Sequence, residues 1–371
     1  MDCEVRMKQY RDQWLSILFI GILFAGMMGN ILMPDLEVLK TERRKAAAFP
    51  ELTWSGIASG KVMEGMEEYL RDQMIFRESL RTMKADTYRN VFFTKEYNGL
   101  YRIGDTICSL DYPLQEDRVI RAADQFSAIA EAYFPDADVY YAVIPDKNYF
   151  TSKKAGYPSM DYERLYSIME VKMTGVSYID ITNILSIDDY YRTDLHWKQE
   201  EITDVADLLL EEMGKESGGT YTEFAEYKEY KGAYAAQSGW NVPPDTIKCL
   251  TNPEIERAVV YDYETRGEIP VYCTEVFTES SKSMDSYDVY LSGAKSLLTL
   301  TNPLNKDGRE LVLFRDSFGS SIAPLLLQGY SKITMIDLRY VKMEYASELL
   351  EFPHECDVLF LYHTGILNRT F

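Results

Sequence analysis

The stretch "LVLFRDSFGSS" (Leu311–Ser321) has the pattern of a strand that passes directly into a helix. Its first four residues are apolar, which is typical of a strand buried on both faces. Ser317 follows at the turn, and Gly319 begins a helical pattern that continues through "IAPLLLQGY". Ligands bind beyond the carboxyl ends of strands in open parallel sheets, so we expect the Ser317 hydroxyl at such an edge. The alternative is that Asp316 or Ser317 only caps the helix, which is the commoner use of these residue types.

Similar apolar runs recur along the chain and alternate with helical patterns. The central pair is "DVYYAVIP" (138–145) and "VSYIDI" (176–181), with helical spacing over 162–173 and 198–213. Further strand-like runs are "SLLTLTN" (296–302), "KITMIDLRY" (332–340) and "DVLFLYHT" (357–364). Strands that alternate with helices predict an α/β fold with a mostly parallel sheet covered by helices.

The remaining segments are predicted to surround this sheet. Helical spacing extends over 57–93 and over 116–132, with a turn between two short strands at Gly104 and Asp105. The segment from about 215 to 295 is rich in Tyr, Gly and Ser and includes "RGEIPVYCTEVF", a pattern typical of a β-hairpin. We interpret it as a β-rich insertion beside the sheet. Most tyrosines are expected at core edges and on sheet surfaces, although tyrosine also suits flat, amphipathic ligands such as sugars, and those of the insertion would help to hold a carbohydrate.

An uncharged apolar run extends from Trp14 to Met33, close to the roughly 20 residues that a helix needs to cross a bilayer. It exceeds the apolar region of a usual signal peptide and no small-residue cleavage site follows, so an uncleaved anchor is favoured over a signal peptide. The chain then divides into a cytoplasmic tail (1–13), a transmembrane anchor (14–33), a stem (34–52) and one extracytoplasmic domain (53–371). Basic residues before the run, against "PDLE" directly after it, favour this orientation weakly.

Charge and cysteine content narrow the classes of partner. The net charge is −20 and the pI about 4.7, which would repel a phosphate backbone, so nucleic acid is not an expected partner. The five cysteines show no metal-binding spacing. Outside the membrane, up to two disulfides among Cys108, Cys249, Cys273 and Cys356 are one expectation, and free buried thiols are the other.

A serine hydroxyl needs a neighbouring base to act as a nucleophile at neutral pH, and a third group must orient that base. Of the three histidines in the chain, His196 alone follows an acid by two residues, in "YYRTDLHWKQE" (Tyr190–Glu200). In a strand-to-helix loop, Asp194 would orient the imidazole while His196 accepts the proton of Ser317.

Two other interpretations of this stretch remain open. Thr193 or Asp194 would cap the helix that follows, with His196 as an ordinary first-turn residue. Alternatively, Asp194, His196 and Glu200 have a spacing that suits a metal ion, although the absence of a second Asp/His cluster disfavours this interpretation. We therefore expect no metal and no cofactor.

With these residues in place, the chain resembles a known family. "TDLHW" resembles the Asp-His-His-Trp signature of the DHHW proteins, which are similar to the SGNH-type O-acetyltransferases of bacterial alginate acetylation. The resemblance extends over most of the chain beyond the apolar run. It includes the segments at 48–80, "NGLYRIGD" (98–105), "IPDKNYF" (144–150), "DSYDVYLSGAKSLLTLTN" (285–302) and "LVLFRDSFGSS".

The resemblance implies an SGNH-like three-layer α/β/α fold and assigns the roles in its site. Asp194 would be the acid, His196 the base and Ser317 the nucleophile, with the pair before the serine as in a circularly rearranged SGNH sheet. Leu195 stands where the signature has a histidine, which leaves one histidine in the motif. Lys147, Asn148 and Arg315 are candidates for the oxyanion hole or for substrate binding, and the Ser317 N–H is a further oxyanion donor.

The function that the resemblance implies is acetyl transfer outside the cell. A membrane-anchored Ser-His-Asp enzyme would carry an acetyl group on Ser317 and pass it to a hydroxyl of a cell-surface polysaccharide, with a multi-span membrane O-acyltransferase as the partner that supplies it. Two alternatives stay open: a carbohydrate acetylesterase with the same triad, and a catalytically silent protein that binds glycan or assists assembly.

Overall fold

The computed structural model of the protein describes residues 2–278 and 283–371, without the side chains of residues 2–9 and Lys40. The chain divides into two units. The first comprises the residues up to Thr94 together with Gly239–Asn241, and the second comprises Lys95–Ser238 and Val242–Phe371. Residues 53–94, which the sequence interpretation places in the same domain as the sheet, therefore group with the N-terminal helix.

The first unit begins with one long helix, α1 (Asp2–Leu32). Its part from Tyr10 to Leu32 has a mean hydropathy of 2.2 over its most apolar window, none of which is buried in the protein. The apolar helix predicted over 14–33 is thus confirmed, and it is long enough to cross a membrane. A signal sequence has the same length and composition, so the anchor and its orientation stay predictions.

The rest of the first unit includes the segment predicted to be a stem (34–52). Helices α2 (Trp54–Ala58), α3 (Lys61–Asp72) and α4 (Arg77–Asn90) follow a short ribbon of β1 (Val38–Leu39) and β2 (Arg44–Lys45). Buried Asp72 accepts two hydrogen bonds of 2.6 Å from the Arg44 guanidinium and one of 3.0 Å from the Ala47 N–H. The Arg44 hydrogen bond lowers the pKa of Asp72. The predicted stem is therefore tied to α3.

The second unit is built on an eight-stranded sheet. Its strands are β5 (Asp138–Ile144), β6 (Ser177–Tyr178), β9 (Val259–Asp262), β10 (Gly267–Ile269), β11 (Leu297–Thr301), β12 (Glu310–Arg315), β13 (Lys332–Ile336) and β14 (Asp357–His363), in the order β10-β9-β11-β13-β12-β14-β5-β6. The half from β13 to β6 is parallel, whereas β10, β9 and β11 are antiparallel to their neighbours. Two separate ribbons pair β3 (Leu100–Ile103) with β4 (Thr106–Ser109) and β7 (Thr222–Tyr230) with β8 (Asp245–Thr251).

Helices cover both faces of this sheet. The second unit contains α5 (Glu116–Tyr133), α6 (Lys147–Ala155), α7 (Tyr162–Lys172), α8 (Thr203–Glu212), α9 (Ala233–Ser238), α10 (Pro253–Arg257), α11 (Gly319–Leu326), α12 (Met343–Leu349) and α13 (Thr364–Arg369), of which α9 and α10 pack on the two ribbons. Alternate residues of β12 enter different cores, with Leu313 packed beside α8 and α11 and Phe314 packed beside α5 and α7. The predicted three-layer α/β/α fold with a mostly parallel sheet is confirmed.

Several details differ from the sequence expectations. The predicted strand "VSYIDI" is reduced to the two residues of β6, because it lies at the sheet edge with only β5 beside it. The predicted insertion is partly integrated, since β9 and β10 extend the main sheet. Four of its tyrosines are buried, so they pack in the core and do not face a glycan: Tyr230, Tyr272, Tyr287 and Tyr290. The cysteines Cys108, Cys249, Cys273 and Cys356 are free thiols.

Candidate active site

Ser317 lies in the turn between β12 and α11, at the carboxyl edge of the parallel half of the sheet. Buried Asp316 fixes this turn: one carboxylate oxygen accepts from the Phe318 N–H at 2.9 Å and the other from the His363 N–H at 2.7 Å. Burial raises the pKa of Asp316. A Cβ on Gly319 would lie 2.6 Å from the Cβ of Arg315, so glycine allows the helix to begin this close to the strand.

The stretch Tyr190–Glu200 forms an irregular loop above the same edge. An antiparallel bridge joins Tyr190 to Trp197, and the Tyr191 N–H donates to the His196 carbonyl at 3.0 Å. Regular helix begins only at Thr203, after a 3₁₀ turn at Gln199–Glu201. The predicted helix over 198–213 therefore starts later, and the predicted acid–base pair lies in the loop that precedes it.

The structure brings the three predicted catalytic side chains together. His196 Nε2 lies 2.7 Å from Ser317 Oγ, and His196 Nδ1 lies 2.6 Å from Asp194 Oδ1. Since an ionised carboxylate only accepts hydrogen bonds, Nδ1 carries the imidazole proton and Nε2 accepts from the serine hydroxyl. Asp194 and His196 are buried, whereas Ser317 is half-buried. The arrangement can deprotonate a serine hydroxyl that a substrate reaches.

Both oxygens of the Asp194 carboxylate have additional donors. Oδ1 also accepts from the His196 N–H at 3.0 Å, and Oδ2 accepts from the Ala233 N–H at 2.6 Å. A Cβ on Gly232 would lie 2.2 Å from the Cβ of Asp194, so no side chain fits there without displacing the carboxylate. The predicted insertion thus contributes backbone that holds the acid in place.

Two further side chains hold the loop from outside. Lys147 donates from Nζ to the carbonyls of Tyr191 and Asp194, each at 2.8 Å. Asp245 accepts from the Thr193 N–H at 2.8 Å and from the Thr193 hydroxyl at 2.6 Å. Neither residue faces the reacting atoms. Both act on the backbone that carries Asp194 and His196.

Aromatic rings enclose the imidazole of His196. Tyr287 stacks on it with ring centroids 3.8 Å apart and an angle of 9° between the planes, and Phe318 lies at 4.8 Å. The Tyr287 hydroxyl donates to Ser321 Oγ at 3.0 Å, and Trp197 Nε1 donates to the same oxygen at 2.8 Å. These contacts fix the plane of the ring that points Nε2 at the serine.

The candidates for the oxyanion hole or substrate binding are engaged by the protein itself. Lys147 is buried among backbone carbonyls, and burial lowers its pKa to about 8. Asn148 accepts from the Tyr101 hydroxyl at 2.6 Å and donates to the Pro158 carbonyl at 3.2 Å. Arg315 is buried and donates to the Asp316 and Lys295 carbonyls, and burial lowers its pKa. Their contacts do not favour a direct role toward substrate.

The metal interpretation has no matching geometry. In residues 2–278 and 283–371, no group of three or more His, Cys, Asp or Glu side chains is placed to hold a metal ion. Glu200 is half-buried, and burial raises its pKa to about 7. Its carboxylate does not join Asp194 and His196.

Sequence reasoning missed Tyr287, Asp245 and the true contacts of Lys147. Tyr287 lies within a segment noted for its resemblance, but nothing in its local pattern distinguishes it from the many other tyrosines of the chain. Asp245 follows two prolines in an unremarkable polar stretch. Each acts through contacts with residues distant in sequence, which no local motif encodes.

Fold and site together define an SGNH-like α/β/α protein with a serine, a histidine and an aspartate aligned at the sheet edge. The fold is similar to that of a DHHW family protein from Eubacterium siraeum, with a TM-score of 0.56 and 19% identity over 74% of this chain and 93% of the other. It is also similar to Bacillus cereus PatB1 with a sulfonyl adduct, with a TM-score of 0.55 and 17% identity over 72% of this chain and 97% of the other.

A weaker likeness, with a TM-score of 0.44 and 11% identity, relates 73% of this chain to 93% of the O-acetyltransferase domain of Pseudomonas putida AlgJ. No family model and no curated protein matches the sequence. The similarity to the Eubacterium siraeum protein confirms the predicted resemblance to DHHW proteins for the fold.

Proposed function

We propose that the protein is an SGNH-like O-acetyltransferase that works through an acyl-enzyme on Ser317. The observation that carries the proposal is the continuous line of hydrogen bonds from Asp194 through His196 to Ser317, at 2.6 and 2.7 Å. Of the three side chains, only that of the serine is half-buried, as a nucleophile that must meet a substrate requires.

The reaction has two halves with matched proton transfers. Ser317 Oγ attacks the carbonyl carbon of the acetyl donor while His196 Nε2 takes the hydroxyl proton, and Asp194 stabilises the resulting imidazolium. The proton then passes to the departing donor group, which leaves the acetyl ester on Ser317. In the second half, a sugar hydroxyl attacks this ester, His196 accepts its proton and returns it to Ser317 Oγ, and the acetylated sugar departs.

We place this site outside the cell, on a chain anchored by the apolar helix, with a cell-surface polysaccharide as acceptor. An extracytoplasmic acetyltransferase needs its acetyl group delivered across the membrane, so the proposal includes a multi-span membrane O-acyltransferase as partner. In cells, Ser317→Ala should remove acetyl groups from the surface glycan, while a reporter fused after residue 371 should register an extracytoplasmic position. Unchanged glycan acetylation would contradict the assignment of substrate.

The direct test uses the full chain in detergent with p-nitrophenyl acetate. Release of p-nitrophenol should disappear in Ser317→Ala and persist in Ser320→Ala. Ser320 is a matched control three residues further along the chain, in α11, and its buried side chain lies outside the triad. Equal rates in the parent and in Ser317→Ala would refute an enzymatic role and leave the silent glycan-binding protein.

Transfer and hydrolysis differ only in the group that attacks the acyl-enzyme. With an oligosaccharide acceptor present, a transferase yields acetylated oligosaccharide detectable by mass spectrometry. An esterase yields only acetate and instead deacetylates an acetylated glycan. Acetate release at the same rate with and without acceptor, and no acetylated product, would replace the transferase with the acetylesterase.

A further inference from the structure

His363 is the last residue of β14, the strand that pairs with β12, and β12 leads into the Ser317 turn. In the parallel pairing of β12 with β14, Arg315 is opposite Leu361, so the residues two positions on are Ser317 and His363. Ser317 lies in the turn that follows β12 and His363 ends β14, so both residues lie at the same carboxyl edge of the sheet. The Asp316 carboxylate joins the two ends, since it accepts from the His363 N–H at 2.7 Å.

The ring of His363 is fixed beside the site. It stacks on Phe318 with centroids 4.6 Å apart and an angle of 11° between the planes, and the His196 ring contacts the same phenyl ring at 4.8 Å. A Cβ on Gly365 would lie 3.0 Å from His363 Nδ1, so glycine at this position permits the close approach. Two imidazoles thus flank one aromatic ring directly after the nucleophile.

The hydrogen bonding determines which nitrogen of His363 carries the proton. Nδ1 accepts from the Gly365 N–H at 3.1 Å, so the neutral ring must carry its hydrogen on Nε2. Burial, reinforced by His196, lowers the pKa of His363 to about 3. The charged groups near this turn are Asp316, which accepts from the His363 N–H, Asp146, which accepts from the Thr364 hydroxyl, and Asp111, whose carboxylate approaches Gly365 and pairs with Arg369. His363 is therefore a neutral donor at neutral pH.

We infer that the Nε2–H of His363 is an oxyanion-hole donor that binds the acyl carbonyl oxygen of the substrate together with the Ser317 N–H. The inference rests on the proposed function, because an oxyanion forms only if Ser317 attacks a carbonyl. Among the described residues, the Nε2–H and the Ser317 N–H donate no hydrogen bond to the protein. Preorganised donors of this kind stabilise the charge that develops on the carbonyl oxygen.

A neutral donor suits this position better than a charged one. His196 becomes an imidazolium during the reaction, and a second positive ring in contact with Phe318 would oppose that charge. A buried imidazole that stays neutral donates a hydrogen bond without this repulsion.

The first experiment observes the donor directly in the full chain in detergent micelles with ¹⁵N-labelled histidine. The chain has three histidines, so His354→Gln and His363→Asn assign the signals. We expect His363 to be the neutral Nε2–H tautomer from pH 5 to 8 and its Nε2 proton to shift when phenylmethanesulfonyl fluoride modifies Ser317. A Nδ1–H tautomer, a titration between pH 5 and 8, or a proton that does not move on modification would overturn the inference.

The second experiment measures p-nitrophenyl acetate turnover. His363→Leu should lower kcat by about 10²-fold with little change in KM, the scale of a lost oxyanion donor. In His363→Asn, the amide oxygen can accept from the Gly365 N–H and the amide N–H can donate to the substrate, so this variant should recover part of that loss. If Ser317→Ala is inactive but folded His363→Leu stays within about threefold of the parent, the inference fails and the proposed function stands.

The turnover rate of Ser317→Ala distinguishes failure of the proposed function from failure of the oxyanion inference alone. If Ser317→Ala turns over at the parent rate, acyl transfer through Ser317 is refuted and the oxyanion role falls with it. Melting temperatures establish which variants are folded. Where His363→Leu does not fold, the tautomer and its response in the parent protein decide the question.

Discussion

The two regions that meet at the site are held in different ways. The Ser317 turn is continuous with β12 and α11, so regular secondary structure places the nucleophile. The loop Tyr190–Glu200 contains no strand and no α-helix, and side chains from elsewhere place the acid and the base. The proposed nucleophile is thus positioned by local structure, whereas the proposed acid–base pair depends on tertiary contacts. Substitutions far from the chemistry should therefore harm the loop more than the turn.

The largest expected effect comes from removing the carboxylate charge of Asp194 in the loop Tyr190–Glu200. Asp194→Asn keeps the side-chain volume but can place an amide N–H opposite His196 Nδ1. The tautomer with its hydrogen on Nε2 is then favoured, which cannot accept the proton of Ser317, so kcat should fall by about 10³- to 10⁴-fold. Melting temperature should change little by comparison. Turnover of p-nitrophenyl acetate within tenfold of the parent would show that the loop contributes no orienting acid.

Lys147→Met should loosen the loop without touching the reacting atoms. It leaves the Tyr191 and Asp194 carbonyls without their donor, so we expect kcat to fall by about 10- to 100-fold and the free energy of unfolding by about 2 kcal/mol. Lys153→Met on the exposed side of α6 is the matched control and should change neither. Parent-like kinetics in Lys147→Met would mean that the loop keeps its shape unaided.

Gly232→Ala should displace the acid by steric overlap. Because the added methyl group would lie 2.2 Å from the Asp194 Cβ, the carboxylate or the backbone must move, and we expect about a tenfold loss in kcat. Gly267→Ala is the control, since a Cβ there meets no atom within 4 Å. The measurement is kcat beside the melting temperature of each variant. Equal effects of the two substitutions would argue against a specific contact.

The smallest effect concerns pH and the turn side of the site. The folded-state pKa of His363 is about 3, below its ordinary value of 6.5. As the pH falls below 6.5, His363 takes up a proton in the unfolded chain but stays neutral in the folded protein. The free energy of unfolding that its neutral state contributes above pH 6.5 is therefore progressively lost toward pH 3. Between pH 6.5 and 4, urea unfolding of the parent should lose on the order of 2 kcal/mol more than that of His363→Asn. Parallel losses would mean that His363 is protonated in the folded protein.

The difference between the two regions also explains what the sequence could predict. The transition at Leu311–Ser321 was predictable because a buried strand, a turn and a helix each leave a local pattern. The pair of Asp194 and His196 was found by spacing and resemblance. Asp245 contacts Thr193 from a separation of 52 residues, and no periodicity in either segment reports that contact.

For Lys147, the sequence predicts the position in the fold but not the groups that its ammonium contacts. The sequence places it at the end of a strand beside the site, and the structure agrees, since α6 begins there directly after β5. Whether its ammonium group meets substrate or backbone depends on the path of the loop Tyr190–Glu200. That path is fixed by packing, so sequence alone favoured neither outcome. Packing also decides whether β9 and β10 join the main sheet, so sequence alone did not predict that they extend it.

The position of β14 has a consequence for how the protein is made. This strand is the last of the sheet in chain order, yet it lies between β12 and β5 and joins them. A nascent chain that has not yet been synthesised through His363 lacks the strand that connects the nucleophile's strand to β5, so the two halves have no common sheet. Closure of the sheet over such a sequence distance is slow in folding. The sheet edge that carries Ser317 therefore forms only after synthesis has passed His363.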